Sequence, residues 1–227
     1  ERVYQKILDT EPAQPSAMHL LGVIKHQTGD NNTAVKLITK ALNIDPNNAD
    51  AHCNLGLAFK ELGKLNEAVK SYHKALSLVH DHTDTLNNLG LALHTLGRPD
   101  DAATSYQKVL TINPNHAKAH NNLGLALGEL GKPTDAVNSY RRAVAVQPDY
   151  ADAYVNLGSA LQALGKPEEA VTAYRKALAF NPKYAEAQNN LGLALHEIGN
   201  FEEAAINLQS ALLIKPDMPE AYNNLGN

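Results

Sequence analysis

The stretch Asn121-Asn122-Leu123-Gly124-Leu125-Ala126-Leu127 sets the pattern that the rest of the chain repeats. Its glycine recurs at Gly22, Gly56, Gly90, Gly124, Gly158, Gly192 and Gly226, each 34 residues after the last. A strict period of that size, without insertion or deletion, is the signature of a stacked-repeat protein. Units of such an array bury their apolar faces on one another rather than around a central core. Function is therefore to be sought on the surface.

Placing the glycine eighth in each unit gives full repeats 15–48, 49–82, 83–116, 117–150, 151–184 and 185–218, with partial repeats 1–14 and 219–227, all in one array over 1–227. Apolar residues within a unit follow helical spacing: Ala119, Leu123, Ala126, Leu127 and Leu130, then Ala136, Val137, Tyr140 and Val144. Two helices per repeat follow. Gly131 stops the first, and Pro133, like Pro99 and Pro167, suits the first turn of the second. Acidic residues fill that turn (Asp100, Asp101, Glu168, Glu169, Glu202, Glu203), where the helix dipole favours them. The second helix ends before Pro46, Pro114, Pro148, Pro182 and Pro216, because a residue preceding proline is driven out of the α region. His80 stands at that proline place between the second and third repeats, which predicts a looser junction there.

Small residues predict how the helices pack. Ala34, Ala68, Ala102, Ala136, Ala170 and Ala204 recur at one place on the second helix, opposite the glycine of the first, so the backbones approach closely. Tyr72, Tyr106, Tyr140 and Tyr174, with Ile38 and Leu208 as variants, fill the wider gap beside them. A glycine in a helix interior costs up to about 1 kcal/mol relative to alanine. Seven at one phase imply that a neighbouring helix occupies the vacated space.

Composition narrows the function classes. Lys plus Arg number 20 against 24 for Asp plus Glu, and a net charge of -4 gives no electrostatic reason to expect nucleic acid or an anionic membrane. No apolar run reaches the roughly 18 residues that span a bilayer, and no signal-peptide pattern opens the chain. The single cysteine, Cys53, forms no internal disulfide and fits a reducing compartment. A soluble, cytoplasmic protein is expected.

The unit resembles a tetratricopeptide repeat, whose pattern pairs Leu-Gly in the first helix with Ala, an aromatic residue, Ala and Pro in and after the second. Leu123, Gly124, Ala136, Tyr140, Ala143 and Pro148 stand at those places, and six full units agree in phase. The family's first aromatic place departs from the pattern, holding Met18, His52, Leu86, His120, Tyr154, Gln188 and Tyr222. The resemblance implies an all-α, right-handed superhelical solenoid of antiparallel helix pairs, its first helices lining the concave side.

Two places before the glycine stand Leu20, Asn54, Asn88, Asn122, Asn156, Asn190 and Asn224. Asparagine costs several tenths of a kcal/mol against alanine in a helix, so six in phase need compensation. Each carboxamide offers a donor and an acceptor, matching the N–H and C=O of an extended peptide backbone. The alternative is local: each amide bonds its own turn or a neighbouring helix and ties repeats together. This Asn-Leu-Gly form, with Asp50, Asp84, Asp152, Glu186 and Glu220 earlier in the same helix, is similar to the superhelical repeats of O-GlcNAc transferases. That resemblance implies that the column binds substrate peptide backbones, in the recognition arm of a larger protein such as a glycosyltransferase. Asp50, Asp84, Asn87, Asn121, Asp152 and Asn189 are expected as secondary groove contacts. The acidic column has a second explanation, since a first-turn carboxylate meets the helix dipole. Six carboxamides at about 1 kcal/mol each, less about 2 to 5 kcal/mol for ordering the peptide, leave millimolar binding or weaker. The amides are expected to face one groove, largely without internal partners.

Other motifs carry less. A clamp for C-terminal carboxylates needs Lys and Arg on the first helices, where His19, Cys53, Asn87, Asn121, Val155 and Asn189 stand instead; only Lys60 is basic at a suitable phase. His80, Asp81 and His82 fall in a turn with no further metal ligand nearby in sequence and read as solvated loop groups, and no metal or other cofactor is expected. No nucleophile elbow, phosphate loop or dinucleotide fingerprint is present, so the repeats are expected to be non-catalytic. The rival class is a structural or oligomerisation scaffold that binds by its convex face or its ends. Neither end carries a polar cap, which predicts self-association through them.

Overall fold

The computed structural model describes residues 1–225; Gly226, the last of the periodic glycines, lies outside them. The described residues form 14 α-helices and no strand. They fall into two compact units, which divide between Pro114 and Asn115.

The first unit contains α1 (Arg2–Thr10), α2 (Pro15–Gln27), α3 (Asn31–Ile44), α4 (Ala49–Glu61), α5 (Leu65–Leu78), α6 (Thr83–Thr95) and α7 (Pro99–Ile112). The second contains α8 (Ala117–Glu129), α9 (Pro133–Val146), α10 (Ala151–Ala163), α11 (Pro167–Phe180), α12 (Ala185–Glu197), α13 (Phe201–Ile214) and α14 (Pro219–Leu225). Every full repeat is thus a first helix of 13 residues and a second of 14, as in α4 and α5. Between them Gly29, Gly63, Gly97, Gly131, Gly165 and Gly199 take positive φ, from 69° to 86°. Only glycine adopts that conformation without a side-chain penalty, and it closes each first helix. His80 leaves α5 unchanged in length: the helix ends at Leu78, in register with its counterparts that precede proline.

Within each unit, a first helix packs on the second helices before and after it in sequence. Neighbouring first helices also touch, as α2 with α4 and α4 with α6, or α8 with α10 and α10 with α12. Within each unit the backbones of successive second helices lie farther apart, and in the second unit only long side chains bridge them, Arg141 to Glu169 and Arg175 to Glu203. The first helices therefore lie on the inside of the bend of each unit.

The periodic glycines are explained by ring packing. A Cβ built on Gly124 would lie 2.5 Å from Cε1 of Tyr140, and one on Gly90 2.6 Å from Cε1 of Tyr106. The tyrosine ring, rather than the backbone of the facing alanine, thus fills the space that glycine leaves. Where Ile38 or Leu208 replaces tyrosine, its branched chain takes the place, 2.6 Å from a Cβ on Gly22 or 2.7 Å from one on Gly192. The alanines beside them, Ala34 to Ala204, are buried, as are Tyr72, Tyr106, Tyr140 and Tyr174. Burial pushes all four phenols above their ordinary titration range, Tyr174 to about 12.

Candidate functional site

The asparagine column lies on the first helices, and Asn54, Asn88, Asn122, Asn156, Asn190 and Asn224 are all half-buried. In the first unit Asn54 and Asn88 share one open groove of about 460 Å³, built only from α2, α4, the His82 cap and α6. Asp50, Asp84 and Asn87 line the same groove, together with His19 and Cys53. In the second unit Asn122, Asn156, Asn190 and Asn224 sit on α8, α10, α12 and α14, accompanied by Asn121, Asp152 and Asn189.

Many of the amides are engaged within the protein. Asn156 Nδ2 donates to Asn121 Oδ1 at 2.9 Å, and Asn224 Nδ2 donates to Asn189 Oδ1 at 3.1 Å. Asn54 Nδ2 lies 2.9 Å from His19 Nε2, which serves as acceptor when the imidazole is neutral. Burial supports that state by lowering the His19 pKa, a shift that the Asp50 carboxylate opposes. Each of these bonds links a column residue to the residue one place ahead of the column in the preceding repeat. Those acceptors are buried beneath the column, with His19, Asn121 and Asn189 only 5 to 8% exposed. The bonds form rungs between adjacent first helices.

Not every repeat makes a rung. Cys53 and Val155 occupy the acceptor place beneath Asn88 and Asn190. A thiol accepts weakly and an alkyl group not at all. Asn190 instead accepts from Asn189 Nδ2 on its own helix at 3.2 Å. The side chains of Asn88 and Asn122 make no hydrogen bond among the described residues, although for Asn122 the place 35 residues earlier holds a carboxamide, Asn87. Beside Asn88, the buried Oδ1 of Asn87 has no hydrogen-bond partner either.

The acidic residues are arranged differently. Asp50, Asp84, Asp152, Glu186 and Glu220 stand in the first turns of α4, α6, α10, α12 and α14, where the dipole favours them. Asp50, Asp84, Asp152 and Glu186 are exposed. His82 Nε2 approaches Asp50 Oδ1 at 3.6 Å, while His82 Nδ1 caps α6 by accepting from Thr85 N. The groove floor is therefore amide, thiol and aliphatic, with carboxylates along one side.

Three features eluded sequence reasoning. The rung acceptors emerge only when the column is compared with residues 35 places earlier, one off the repeat length. On the second helices, Arg141 bonds Glu169 and Arg175 bonds Glu203, each at 2.7 Å and each between successive repeats of the second unit. The motif is a spacing of 28 residues, which no single repeat displays. A larger depression, about 670 Å³, lies between α5 and α7 in the first unit over Leu86, Leu89 and Leu93. Its signal was Leu86 at the family's first aromatic place; in the second unit Tyr154 stands there and stacks on Phe180, with ring centroids 6.2 Å apart.

The described residues contain no group of three His, Cys, Asp or Glu side chains placed to hold a metal ion. No helix among them is long and apolar enough to cross a membrane.

Several solved structures share the fold. The chain is similar to MamA, with 29% identity, a TM-score of 0.68, and coverage of 71% of this chain and 95% of that one. YrrB, described as a tetratricopeptide repeat protein with an unusual peptide-binding site, is 24% identical with a TM-score of 0.70, covering 84% and 98%. PilW, a type IV pilus biogenesis factor, is 22% identical with a TM-score of 0.80, covering 93% and 98%. Among curated proteins none matches the chain. Tetratricopeptide repeat models match residues 22–63, 47–115 with 84–149, and 121–183 with 156–221, spanning both units in the phase of the helix pairs. The chain belongs to the tetratricopeptide repeat family.

Proposed function

We propose that the chain is one array whose first-helix face binds protein segments in extended conformation through the asparagine column. We further propose that it is the recognition arm of a larger protein such as a glycosyltransferase. One observation carries the reading: the column occupies the inner helices and lines an open groove with Asn54 and Asn88. The peptide-binding site named for YrrB agrees with it. The rungs reduce the number of free amides, so affinity from the column alone stays weak. Such a face recruits and orients, and a tethered second site multiplies its effect.

Substitution separates binding from structure. Asn88→Ala together with Asn122→Ala removes amides that have no internal partner, so peptide recruitment is expected to fall. The melting temperature should hold or rise slightly, because alanine is the better helix former. Asn156→Ala together with Asn224→Ala breaks two rungs and should lower the melting temperature. Equal effects of the two pairs on melting, with recruitment untouched, would leave the column purely structural. A transferase domain encoded after Asn227 would support the larger assignment.

The second reading, a scaffold for self-association, has its own support in α13. Phe201, Ile206 and Leu213 are exposed there, Leu213 at 86%. Sedimentation that depends on concentration, and ceases when these three become serine, would favour it.

A further inference from the structure

We propose that the depression between α5 and α7 is a docking site in its own right, and that it takes an aromatic side chain carried on an acidic segment of a partner protein. The space, about 670 Å³, is floored by Leu86, Leu89 and Leu93 of α6 and walled by Ile112 of α7, which is 41% exposed. It shares no residue with the groove that holds Asn54 and Asn88, so it does not depend on the asparagine column.

The chain itself shows what fits such a place. Two repeats further on, Tyr154, Phe180 and Lys176 stand where Leu86, Ile112 and Lys108 stand here. Tyr154 stacks on Phe180, and Lys176 Nζ lies 5.7 Å from the centre of the Tyr154 ring. In the first unit shorter aliphatic chains replace both rings, and Lys108 lines the depression without a Phe or Tyr beside it. A ligand ring seated on Leu86 and Ile112 buries apolar area there and presents its face to Lys108. The mouth is also unbridged. Where Arg141 reaches across to Glu169, the corresponding residues are His73 and Asp101, and Arg98 holds Asp101 at 2.6 Å instead.

Charge selects the segment that brings the ring. Lys36, Lys40, Lys70, Lys74 and Lys108 are exposed on α3, α5 and α7 and fall on two columns with the period of the repeat. None of the five makes an ion pair among the described residues. The carboxylates on these helices, Glu67, Asp100 and Asp101, are confined to first turns. An acidic stretch laid across the three helices meets the lysines while its aromatic residue enters between α5 and α7. Exposed ion pairs contribute little singly, so the charge guides the approach and the ring supplies most of the affinity.

The test uses the full chain and an acetylated, amidated nonapeptide of aspartate and glutamate with one central phenylalanine, followed by methyl NMR. Signals of Leu86, Leu89 and Ile112 are expected to shift, with the side-chain amides of Asn54 and Asn88 unmoved. Alanine in place of the phenylalanine should weaken binding at least about tenfold. Lys108→Ser should weaken it about fivefold. Leu86→Tyr with Ile112→Phe fills the depression as Tyr154 and Phe180 fill theirs, and should remove the dependence on phenylalanine. Affinity that ignores the phenylalanine, absence of methyl shifts, or shifts confined to the asparagine column overturns the proposal. Tighter binding of a single-stranded oligonucleotide than of the peptide overturns it too, since the lysines would then serve a polyanion. So does self-association that the filled variant abolishes, which would make the occupant a second copy. If the filled variant fails to fold, the peptide pair and Lys108→Ser decide: the proposal requires both losses.

Discussion

His19 shows how one residue changes the chemistry of a rung. The other rungs join two carboxamides, whose donor and acceptor do not change with pH. The His19–Asn54 rung requires a neutral imidazole, and burial depresses the His19 pKa in the folded protein. The unfolded chain therefore takes up the proton first as pH falls. Stability associated with neutral His19 is fully present above its ordinary value of 6.5 and is lost as pH drops through that value toward the folded one. Protonated His19 also becomes a donor and faces the Asn54 NH2, so the amide must turn over. His19→Asn installs the rung seen at Asn121 and should make melting less sensitive to acid than in the parent. The measurement is the melting temperature of both proteins at about pH 7 and about pH 5. An equal drop in both would place the acid sensitivity in other groups.

At the scale of the element, the helix pair was legible because its signals are local and recur. Gly131 at its turn, Pro133 at a helix start and the alanine column each report the backbone around them, and the helices begin and end where those residues stand. The rungs were not legible in the same way. They depend on a residue one place out of the column, and on whether that residue is histidine, asparagine, cysteine or valine. Ring packing on glycine was half legible: a vacated space was expected, but its occupant is the tyrosine. Helix α8 tests this with two glycines. Gly124→Ala brings a Cβ to 2.5 Å from Tyr140. Overpacking of about 1 to 3 kcal/mol then exceeds a propensity gain of about 1 kcal/mol, for net destabilisation. Gly128→Ala meets nothing within 4 Å and should keep the gain. Opposite shifts in denaturation midpoint are the expected result. A gain at both positions would show that the ring moves aside freely.

On the scale of the whole molecule, stability is distributed over repeats and their interfaces rather than lodged in one core. The four tyrosines distribute an alkaline weakness with it. Tyr72 and Tyr106 lie in the first unit and Tyr140 and Tyr174 in the second, and burial is the leading cause of the raised pKa in all four. The folded protein holds these phenols protonated at a pH where the unfolded chain has begun to release them. Their contribution is fully present below the ordinary value of 10.0 and is lost as pH rises above it. Because each ring seats on the glycine of its own repeat, an ionised tyrosine cannot remain in place without burying its charge. Helicity should therefore fall in step with the appearance of tyrosinate absorbance from those residues above about pH 10. Replacing all four by phenylalanine should move that loss to higher pH while keeping the rings on their glycines. If the quadruple variant unfolds over the same range of pH, alkaline stability is set outside the tyrosine column.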